Sequence, residues 1–345
     1  MKRRMDRAMA LLLCAALLLG LSGCILLPDN AEPGVRAFER SLFLMDTQMD
    51  LRVYGPEDGS SSAALDELAA LLTELDARLS VTNPDSALSA LNRSGASSDR
   101  ELLLLVSEAR RLHARSGGAL EISLYPASLL WGFTAGSYRV PAQEELEALR
   151  PRIGTEKLSL SETELTLAEG MQLDLGALAK GYAADRCRER MEELKLSGIL
   201  NLGGNIQTVG DKPDGSDWVI GIRDPDDAGA YLLTLNLSGS CAVVTSGDYQ
   251  RYFEEDGVRY CHILDPQTLC PAQSGLRSVT VVADRGLTAD GLATALFVLG
   301  REQALELWRS AGDFEAVFLS DDGTVTVTPG LKDRVAGHAF EVAEP

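Results

Sequence analysis

The fold is decided by the stretch that begins at residue 199, Ile199-Leu200-Asn201-Leu202-Gly203-Gly204-Asn205-Ile206. An apolar run ends there in a glycine pair, which suits a tight turn and lets the backbone lie flat against a ligand. Further short apolar runs follow, and hairpin-like neighbours outnumber strand-helix-strand units. We therefore expect an α+β fold with a mostly antiparallel sheet core and packed helices. The predicted strands are residues 199–202, 218–222, 232–237, 242–245, 258–264, 278–283, 314–319 and 324–328.

Helical periodicity surrounds this region. Leucines from Leu65 to Leu79 recur on one stripe, and residues 101–115 have the same pattern, so these leucines are predicted to be core. Residues 41–54 alternate apolar and polar side chains and predict one strand. Further helices are predicted over residues 141–149, 175–196, 288–299 and 302–310, and a hairpin over residues 158–160 and 164–167.

The first residues have the pattern of an export signal. Basic residues precede an apolar run, residues 8–21, that is too short to span a bilayer comfortably. The run ends in Leu21-Ser22-Gly23-Cys24, which resembles a lipobox. We predict a lipoprotein signal peptide over residues 1–23, a lipid anchor on Cys24, a tether over residues 24–37 and one domain over residues 38–345, on the extracytoplasmic side of a membrane. The alternative is an ordinary signal peptide or an uncleaved anchor, with an incidental cysteine.

The chain is strongly acidic, with a formal net charge of −19 at pH 7. Nucleic acid is therefore excluded as a partner class. An anionic nucleotide could still bind if a cation or local backbone donors neutralise its phosphates. The cysteines after Cys24 form no CxxC pair, so we interpret them as packing residues; they are Cys187, Cys241, Cys261 and Cys270.

Two motifs place polar groups on predicted helices. Asp290 and Thr294 stand four residues apart, so their oxygens project on one side and suit Mg²⁺ or Ca²⁺. The alternative is a helix-start acid and a core threonine. The segment from Asp174 to Lys180 places an acid and a glycine at a predicted helix start, where the backbone can approach a ligand. There the alternative is a helix cap and a solvated lysine.

Two further motifs follow predicted strands. Thr245-Ser246-Gly247-Asp248-Tyr249 offers two hydroxyls and a glycine, which suit a phosphate contact or an ordinary turn. His262 stands at a strand end, before Asp265-Pro266, and its imidazole titrates near neutrality, so it is a candidate general base. The other two histidines, His113 and His338, are assigned to structure.

In this order the motifs resemble those of the ApbE family of FAD:protein FMN transferases. The similarity covers residues 43–318, and its motifs are Asp-Leu-Gly-x-x-Ala-Lys-Gly-Tyr, Asn-Leu-Gly-Gly, Thr-Ser-Gly-Asp-Tyr, His-Ile-Leu-Asp-Pro and Asp-x-x-x-Thr. The resemblance implies an ApbE-like fold and an FAD-binding flavin transferase domain. It also implies an enzyme that splits FAD with Mg²⁺, joins FMN to a threonine or serine of an acceptor protein and releases AMP. The acceptor would be an exported or membrane protein.

The resemblance assigns roles to individual residues. It implies that Ala177 binds the metal through its backbone carbonyl, Asp290 and Thr294 bind it through their side chains, and His262 is the general base. Ser246 and Gly247 join the predicted FAD contacts from the strand-end motif. The full set of predicted FAD-binding residues is Met45, Ala119, Leu120, Glu121, Asp174, Lys180, Ser246, Gly247 and Leu264.

Some positions depart from the family pattern. Asp46 and the pair Leu269-Cys270 stand where the family has glycine, and Glu121 stands where it has aspartate. Two other functions are left open by the residues. One is a Mg²⁺-dependent FAD pyrophosphatase that releases FMN and AMP. The other is a lipoprotein that holds FAD without turning it over, although the metal motif and His262 favour an enzyme.

Overall fold

The computed structural model describes residues 35–134, 136–227 and 229–345. The predicted signal peptide, the Cys24 anchor and nearly all of the predicted tether lie outside these residues. Among the described helices, none is long and apolar enough to cross a membrane. The four cysteines of the described residues are free thiols, as the packing interpretation predicts.

A nine-stranded sheet lies at the centre of the molecule, in the order β1-β2-β6-β7-β10-β13-β14-β15-β17, and only its β15–β17 pair is parallel. Three small sheets accompany it, β16-β9-β8, β11-β12 and β3-β5-β4. The strands are β1 (Arg36–Leu44), β2 (Thr47–Gly55), β3 (Ala96–Ser97), β4 (Ser159–Leu160), β5 (Leu165–Thr166), β6 (Ser197–Leu202), β7 (Asn205–Val209), β8 (Trp218–Arg223), β9 (Tyr231–Leu237), β10 (Cys241–Gly247), β11 (Tyr252–Glu255), β12 (Val258–Cys261), β13 (Leu276–Ala283), β14 (Phe314–Ser320), β15 (Val325–Val327), β16 (Val335–Gly337) and β17 (Glu341–Val342).

The helices pack mainly on one face of this sheet. They are α1 (Ser60–Leu79), α2 (Ala87–Ser94), α3 (Arg100–Arg115), α4 (Tyr125–Trp131), α5 (Gln143–Glu147), α6 (Ala179–Glu193) and α7 (Gly286–Ala311). Leu51 and Val53 on the sheet belong to the same core as the predicted leucine stripe of α1. On the opposite face, Ile206 and Val243 pack against the small sheet through side chains such as Leu235. The predicted α+β class with a mostly antiparallel sheet is confirmed.

Several predicted boundaries are wrong. Residues 41–54 form a hairpin rather than one strand, because Met45 and Asp46 turn the chain with φ of 50° and 57°. The helix predicted from residue 175 begins at Ala179, since residues 176–178 form a turn. The strand predicted over 258–264 ends at Cys261. The two helices predicted after residue 288 are segments of α7 that meet at Gly300, which has a φ of 75°. The strand β7 was missed.

Candidate active site

The helices α6 and α7 cross at a pair of glycines. A Cβ atom added to Gly181 on α6 would lie 2.2 Å from the carbonyl oxygen of Gly286 on α7. A Cβ added to Gly286 would lie 2.4 Å from the Gly181 oxygen. Only glycine permits this approach, so the two residues set the distance between the helices. The crossing brings Asp290, one turn into α7, against the first turn of α6.

The Asp290 carboxylate changes how α6 begins. The residue is 4% exposed, and its Oδ2 accepts a hydrogen bond from the Gly181 backbone N–H at 2.8 Å. In a regular helix that N–H would donate to the carbonyl of Ala177, four residues earlier. No backbone N–H of the described residues donates to Ala177. The Asp290 carboxylate therefore takes the N–H group that would otherwise donate to Ala177, and the Ala177 oxygen is left without its helical donor.

A third candidate oxygen ligand lies one helical turn further along α7. Thr294 has its Oγ1 3.4 Å from the Oγ of Ser246, which is at the end of β10. Carboxylate, carbonyl and hydroxyl oxygens are the ligands that Mg²⁺ and Ca²⁺ accept in proteins. The predicted metal ligands Ala177, Asp290 and Thr294 thus fit a hard divalent cation, with Ser246 beside them.

The carboxylate of Asp185 fixes α7 relative to α6. Its Oδ1 accepts from the Gly286 N–H at 2.5 Å and its Oδ2 from the Leu287 N–H at 3.0 Å, so it caps the start of α7 from a buried position. Burial raises the pKa of Asp185, whereas these two hydrogen bonds lower it. The motifs identified in the sequence do not include Asp185. Its function as a cap depends on a contact between residues about 100 positions apart, which local patterns do not show.

His262 directly follows β12 and is held by the backbone of Arg251. The His262 N–H donates to the Arg251 carbonyl at 3.0 Å, and the ring Nδ1 lies 3.2 Å from the same oxygen. A carbonyl oxygen only accepts, so the contact favours the tautomer with hydrogen on Nδ1 and a lone pair on Nε2. Burial lowers the pKa of His262 to about 4, and the positive charges of Arg251 and Lys180 contribute to the lowering. The imidazole is therefore neutral near pH 7.

Positive charge gathers around Asp174. Burial raises the pKa of its carboxyl, whereas a hydrogen bond from the Gly176 N–H and the charges of Arg251 and Lys180 lower it. Because α6 starts only at Ala179, Asp174 turns the loop before the helix instead of capping the helix. The predicted residues Asp174, Lys180 and His262 thus lie within electrostatic reach of one another. Arg251 belongs to the same group, and sequence reasoning did not select it.

The turns at one end of the sheet meet around this group. Arg251 lies 3.8 Å from the Asp46 carboxylate in the β1–β2 turn, next to the predicted FAD contact Met45. In the β6–β7 turn, a Cβ on Gly203 would lie 2.4 Å from the side chain of Thr47, so this position requires glycine. The glycine pair noted in the sequence therefore packs the turns together at the site.

Glu121 is placed differently from the other predicted FAD contacts. Its side chain is buried, and Oε1 accepts hydrogen bonds from the Ser123 N–H, the Ser123 hydroxyl and the Thr155 hydroxyl at 2.6–2.8 Å. Its Oε2 accepts from the Thr155 N–H at 2.9 Å and lies 3.4 Å from Nδ1 of His113. The carboxylate is thus occupied in joining two loops, and Glu156 beside His113 adds an exposed acid. These contacts describe a structural position for Glu121.

The remaining predicted contacts are buried backbone and apolar positions. Ala119 and Leu120 belong to the main core, and the Leu120 carbonyl accepts from His113 Nδ1 at 2.8 Å. Leu264 lies in a separate apolar cluster around Trp131. At Gly247, a Cβ would lie 2.6 Å from the ring of Tyr249, so glycine is required there. Any contact of these four residues with FAD would be made largely by the backbone.

The fold and the oxygen ligands at the helix crossing define the class of protein: an α+β protein with a candidate divalent metal centre beside a neutral histidine. The model of the ApbE family matches residues 45–318. The chain belongs to the ApbE family, as the sequence motifs predicted.

Curated relatives and solved structures agree with this membership. The chain is 36% identical to the FAD:protein FMN transferase of Treponema pallidum, over 93% of this chain and 96% of that protein. It is 33% identical to the FAD:protein FMN transferase of Haemophilus influenzae, over 78% and 84%. Among solved structures, the ApbE protein of Thermotoga maritima superposes with a TM-score of 0.81 at 29% identity, covering 87% of this chain and 99% of that one. The apo flavinyl transferase ApbE of Pseudomonas stutzeri gives 0.78 at 34% identity, with coverage of 87% and 97%.

Proposed function

We propose that this chain is an FAD:protein FMN transferase that uses Mg²⁺ to move FMN from FAD to a threonine or serine hydroxyl of an acceptor protein, with AMP as the second product. The names of the curated relatives support the transferase class. The observation that carries the metal requirement is the Asp290–Gly181 hydrogen bond, which leaves the Ala177 carbonyl without its helical donor beside an acidic and a hydroxyl oxygen. The catalytic domain is residues 38–345.

The geometry around His262 supports it as the proton acceptor of the proposed reaction. With hydrogen on Nδ1, His262 has its lone pair on Nε2, where it can take the proton of the attacking hydroxyl. The hydroxyl oxygen forms a bond to the FMN-side phosphorus, the bond from that phosphorus to the AMP oxygen breaks, and the electron pair leaves with AMP. A pKa of about 4 keeps His262 unprotonated and ready near neutral pH.

The charges of the site suit a pyrophosphate in an otherwise acidic protein. Lys180 and Arg251 are both close enough to Asp174 and His262 to alter their pKa values, so positive charge is concentrated where the phosphates would lie. Mg²⁺ held by Ala177, Asp290 and Thr294 would supply stabilisation of the negative charge that develops on phosphate oxygens. Arrangement and charge neutralisation, rather than a covalent enzyme intermediate, are then sufficient for the reaction.

The test is incubation of the purified protein with FAD, Mg²⁺ and a candidate acceptor, followed by intact-mass analysis of the acceptor and chromatography of the nucleotides. We expect the acceptor to gain one FMN for each AMP released, and Asp290→Asn to abolish both signals. Release of AMP and free FMN without a change in acceptor mass would identify a pyrophosphatase. Tight FAD binding without release of AMP would identify a protein that binds FAD but does not turn it over.

We also propose that the enzyme is an exported lipoprotein anchored through Cys24. The support is the order of basic residues, apolar run and Leu21-Ser22-Gly23-Cys24 in the sequence. An anchor at Cys24 would confine the reaction to acceptors on the extracytoplasmic side of the same membrane.

A further inference from the structure

Asn205 has a buried amide group that the folded chain does not satisfy. It is the first residue of β7, directly after Gly203-Gly204, and is 3% exposed. Its Nδ2 makes no hydrogen bond to any residue that the structure describes. A buried donor without a partner costs about 1–3 kcal/mol, so such an atom requires an explanation.

Strand register shows which way this side chain points. Asn205 is directly opposite Val244 on β10, and paired residues of antiparallel strands project to the same face. Val244 belongs to the core on the helix side of the sheet. Ser246, two residues along β10, has its hydroxyl 3.4 Å from Thr294 on α7 and therefore projects to that face as well. Asn205 is thus a diagonal neighbour of Ser246, on the face where the metal ligands converge.

The sheet ends at this place. β7 begins at Asn205, whereas β10 continues past it through Ser246 to Gly247, which pair with β13 alone. The amide of Asn205 is therefore at the last position of β7 before the site. Another polar residue, Gln207, follows on the same face, but its Nε2 donates to the carbonyls of Thr208 and Cys241 at 2.9 and 3.0 Å. The amide nitrogen of Gln207 is therefore hydrogen-bonded to the sheet, whereas the amide nitrogen of Asn205 is not.

We infer that Asn205 is a further FAD-binding residue, whose Nδ2 donates a hydrogen bond to an oxygen of the FAD pyrophosphate. The group is a donor, so its partner must be an acceptor oxygen, and its neighbours Ser246 and Thr294 lie at the proposed phosphate and metal positions. Backbone donors and cations near Lys180 would act on the same anion from the helix side. The inference rests on the proposed function, because it takes FAD as the ligand.

The experiment measures the binding of FAD, ADP and riboflavin to the full domain without acceptor protein, together with the melting temperature of the unliganded protein. Asn205→Ala should weaken FAD and ADP binding about 10- to 100-fold, the effect of one hydrogen bond to a charged group, and leave riboflavin binding unchanged. Asn205→Asp should weaken both at least as much, because it adds negative charge near the phosphates. Asn205→Ala should not melt much below the parent protein, since no internal hydrogen bond of Nδ2 is lost.

The matched control is Gln207→Met, on the same strand and face, which should lower the melting temperature and leave FAD binding unchanged. Unchanged FAD affinity in a folded Asn205→Ala protein would overturn the inference, as would a loss for riboflavin equal to that for ADP. Stronger metal-dependent binding in Asn205→Asp would also overturn it, because that result would make residue 205 a metal ligand. If FAD binding depends on Asn205 but the parent protein transfers no FMN, the inference stands and the proposed transferase reaction fails.

Discussion

At the scale of single residues, the proposed chemistry depends on keeping His262 neutral. Burial and two nearby positive charges lower the pKa of His262 to about 4, below the ordinary value of 6.5. Between these pH values the unfolded chain binds a proton at His262 that the folded protein does not. His262 therefore makes the protein less stable as the pH falls from about 6.5 to about 4, and it is available as a base above about pH 4.

The first prediction concerns how the FMN transfer rate depends on pH, and in particular the acidic limb of the pH–rate profile. The single-turnover rate should fall only as the pH approaches about 4. Arg251→Gln should move this limb to higher pH, because it removes a positive charge that lowers the pKa and keeps the carbonyl that holds the ring. His262→Ala should lower the rate about 10²- to 10⁴-fold with little change in FAD affinity. The control is Arg259→Gln. Arg259 pairs with Glu254, so this substitution should leave the acidic limb of the pH–rate profile in place. An unshifted limb in Arg251→Gln would contradict this account.

The second prediction compares two residues in the left-handed backbone region. Asp46 and Leu269 have φ of 57° and 60°, at positions where the motif resemblance predicts glycine. Asp46→Gly should be neutral or slightly stabilising, since it relieves strain at an exposed turn. Leu269→Gly should destabilise the protein by about 2–5 kcal/mol, because the lost side chain is fully buried and its removal outweighs the strain relieved. Urea unfolding of both variants measures the difference, and equal effects would contradict the explanation.

These two positions show what motifs can and cannot reveal about single residues. The resemblance to the family motifs indicated where a glycine is replaced, but not what makes a larger residue acceptable there. At Leu269, tertiary contacts explain why a large residue is accepted. Its side chain is buried near Trp131, whose Nε1 donates to the Leu269 carbonyl at 2.9 Å. Glu121 is a similar case, since its hydrogen bonds come from Ser123 and Thr155 and the latter is distant in sequence.

At the scale of secondary structure, the site depends on how α7 is fixed against α6. Asp185 caps α7 with both carboxylate oxygens, and the Gly181–Gly286 contact sets the separation of the helices. The proposed metal ligands are on both sides of this contact, with Ala177 before α6 and Asp290 and Thr294 within α7. Any change that moves one helix along the other should therefore separate the ligands.

The third prediction tests this coupling. Asp185→Ala should cost about 1–2 kcal/mol of stability through the lost cap and should also weaken Mg²⁺ binding. The control is Asp99→Ala, which removes a similar cap from α3, where Asp99 accepts from the Glu101 and Leu102 N–H groups. That variant should lose comparable stability and keep its Mg²⁺ affinity, measured by calorimetry on both proteins. Equal Mg²⁺ affinities in the Asp185→Ala and Asp99→Ala variants would show that Asp185 only caps α7 and does not position the metal ligands.

Hydrophobic periodicity predicted most elements but placed some ends wrongly. In the β1–β2 hairpin, the core-facing apolar residues change from even positions such as Leu42 to odd positions such as Met49, and this change of parity was a readable sign of the turn. The start of α6 had no comparable sign. Residues 175–178 suit a helix locally, and the helix begins late because the Gly181 N–H donates to Asp290, 109 residues away. Boundaries at the site were therefore least predictable where distant residues decide them.

At the scale of the whole molecule, a chain with net charge −19 has gathered basic side chains around the site. The positive charges of Arg251 and Lys180 lower the pKa values of Asp174 and His262. The local charge at the site is therefore opposite in sign to the net charge of the chain. The surrounding negative charge disfavours nucleic acid and other polyanions, whereas a short pyrophosphate can be neutralised locally. The composition indicated that a phosphate ligand would need a local arrangement of positive charge, but not which residues would form it.

The last prediction concerns where the molecule is held. If Cys24 carries a lipid, Cys24→Ser should leave the protein without it. In a detergent phase-partition experiment the variant should then move to the aqueous phase, because the lipid is the proposed membrane anchor. The matched control is Cys14→Ser, which changes a cysteine inside the apolar run and should leave partitioning as it is. The Cys24→Ser protein should retain FAD cleavage in solution, since the tether separates the anchor from the domain. It should flavinylate a membrane-bound acceptor more slowly, because enzyme and acceptor are no longer confined to one surface. A Cys24→Ser protein that still partitions fully with detergent would show that another segment holds it to the membrane.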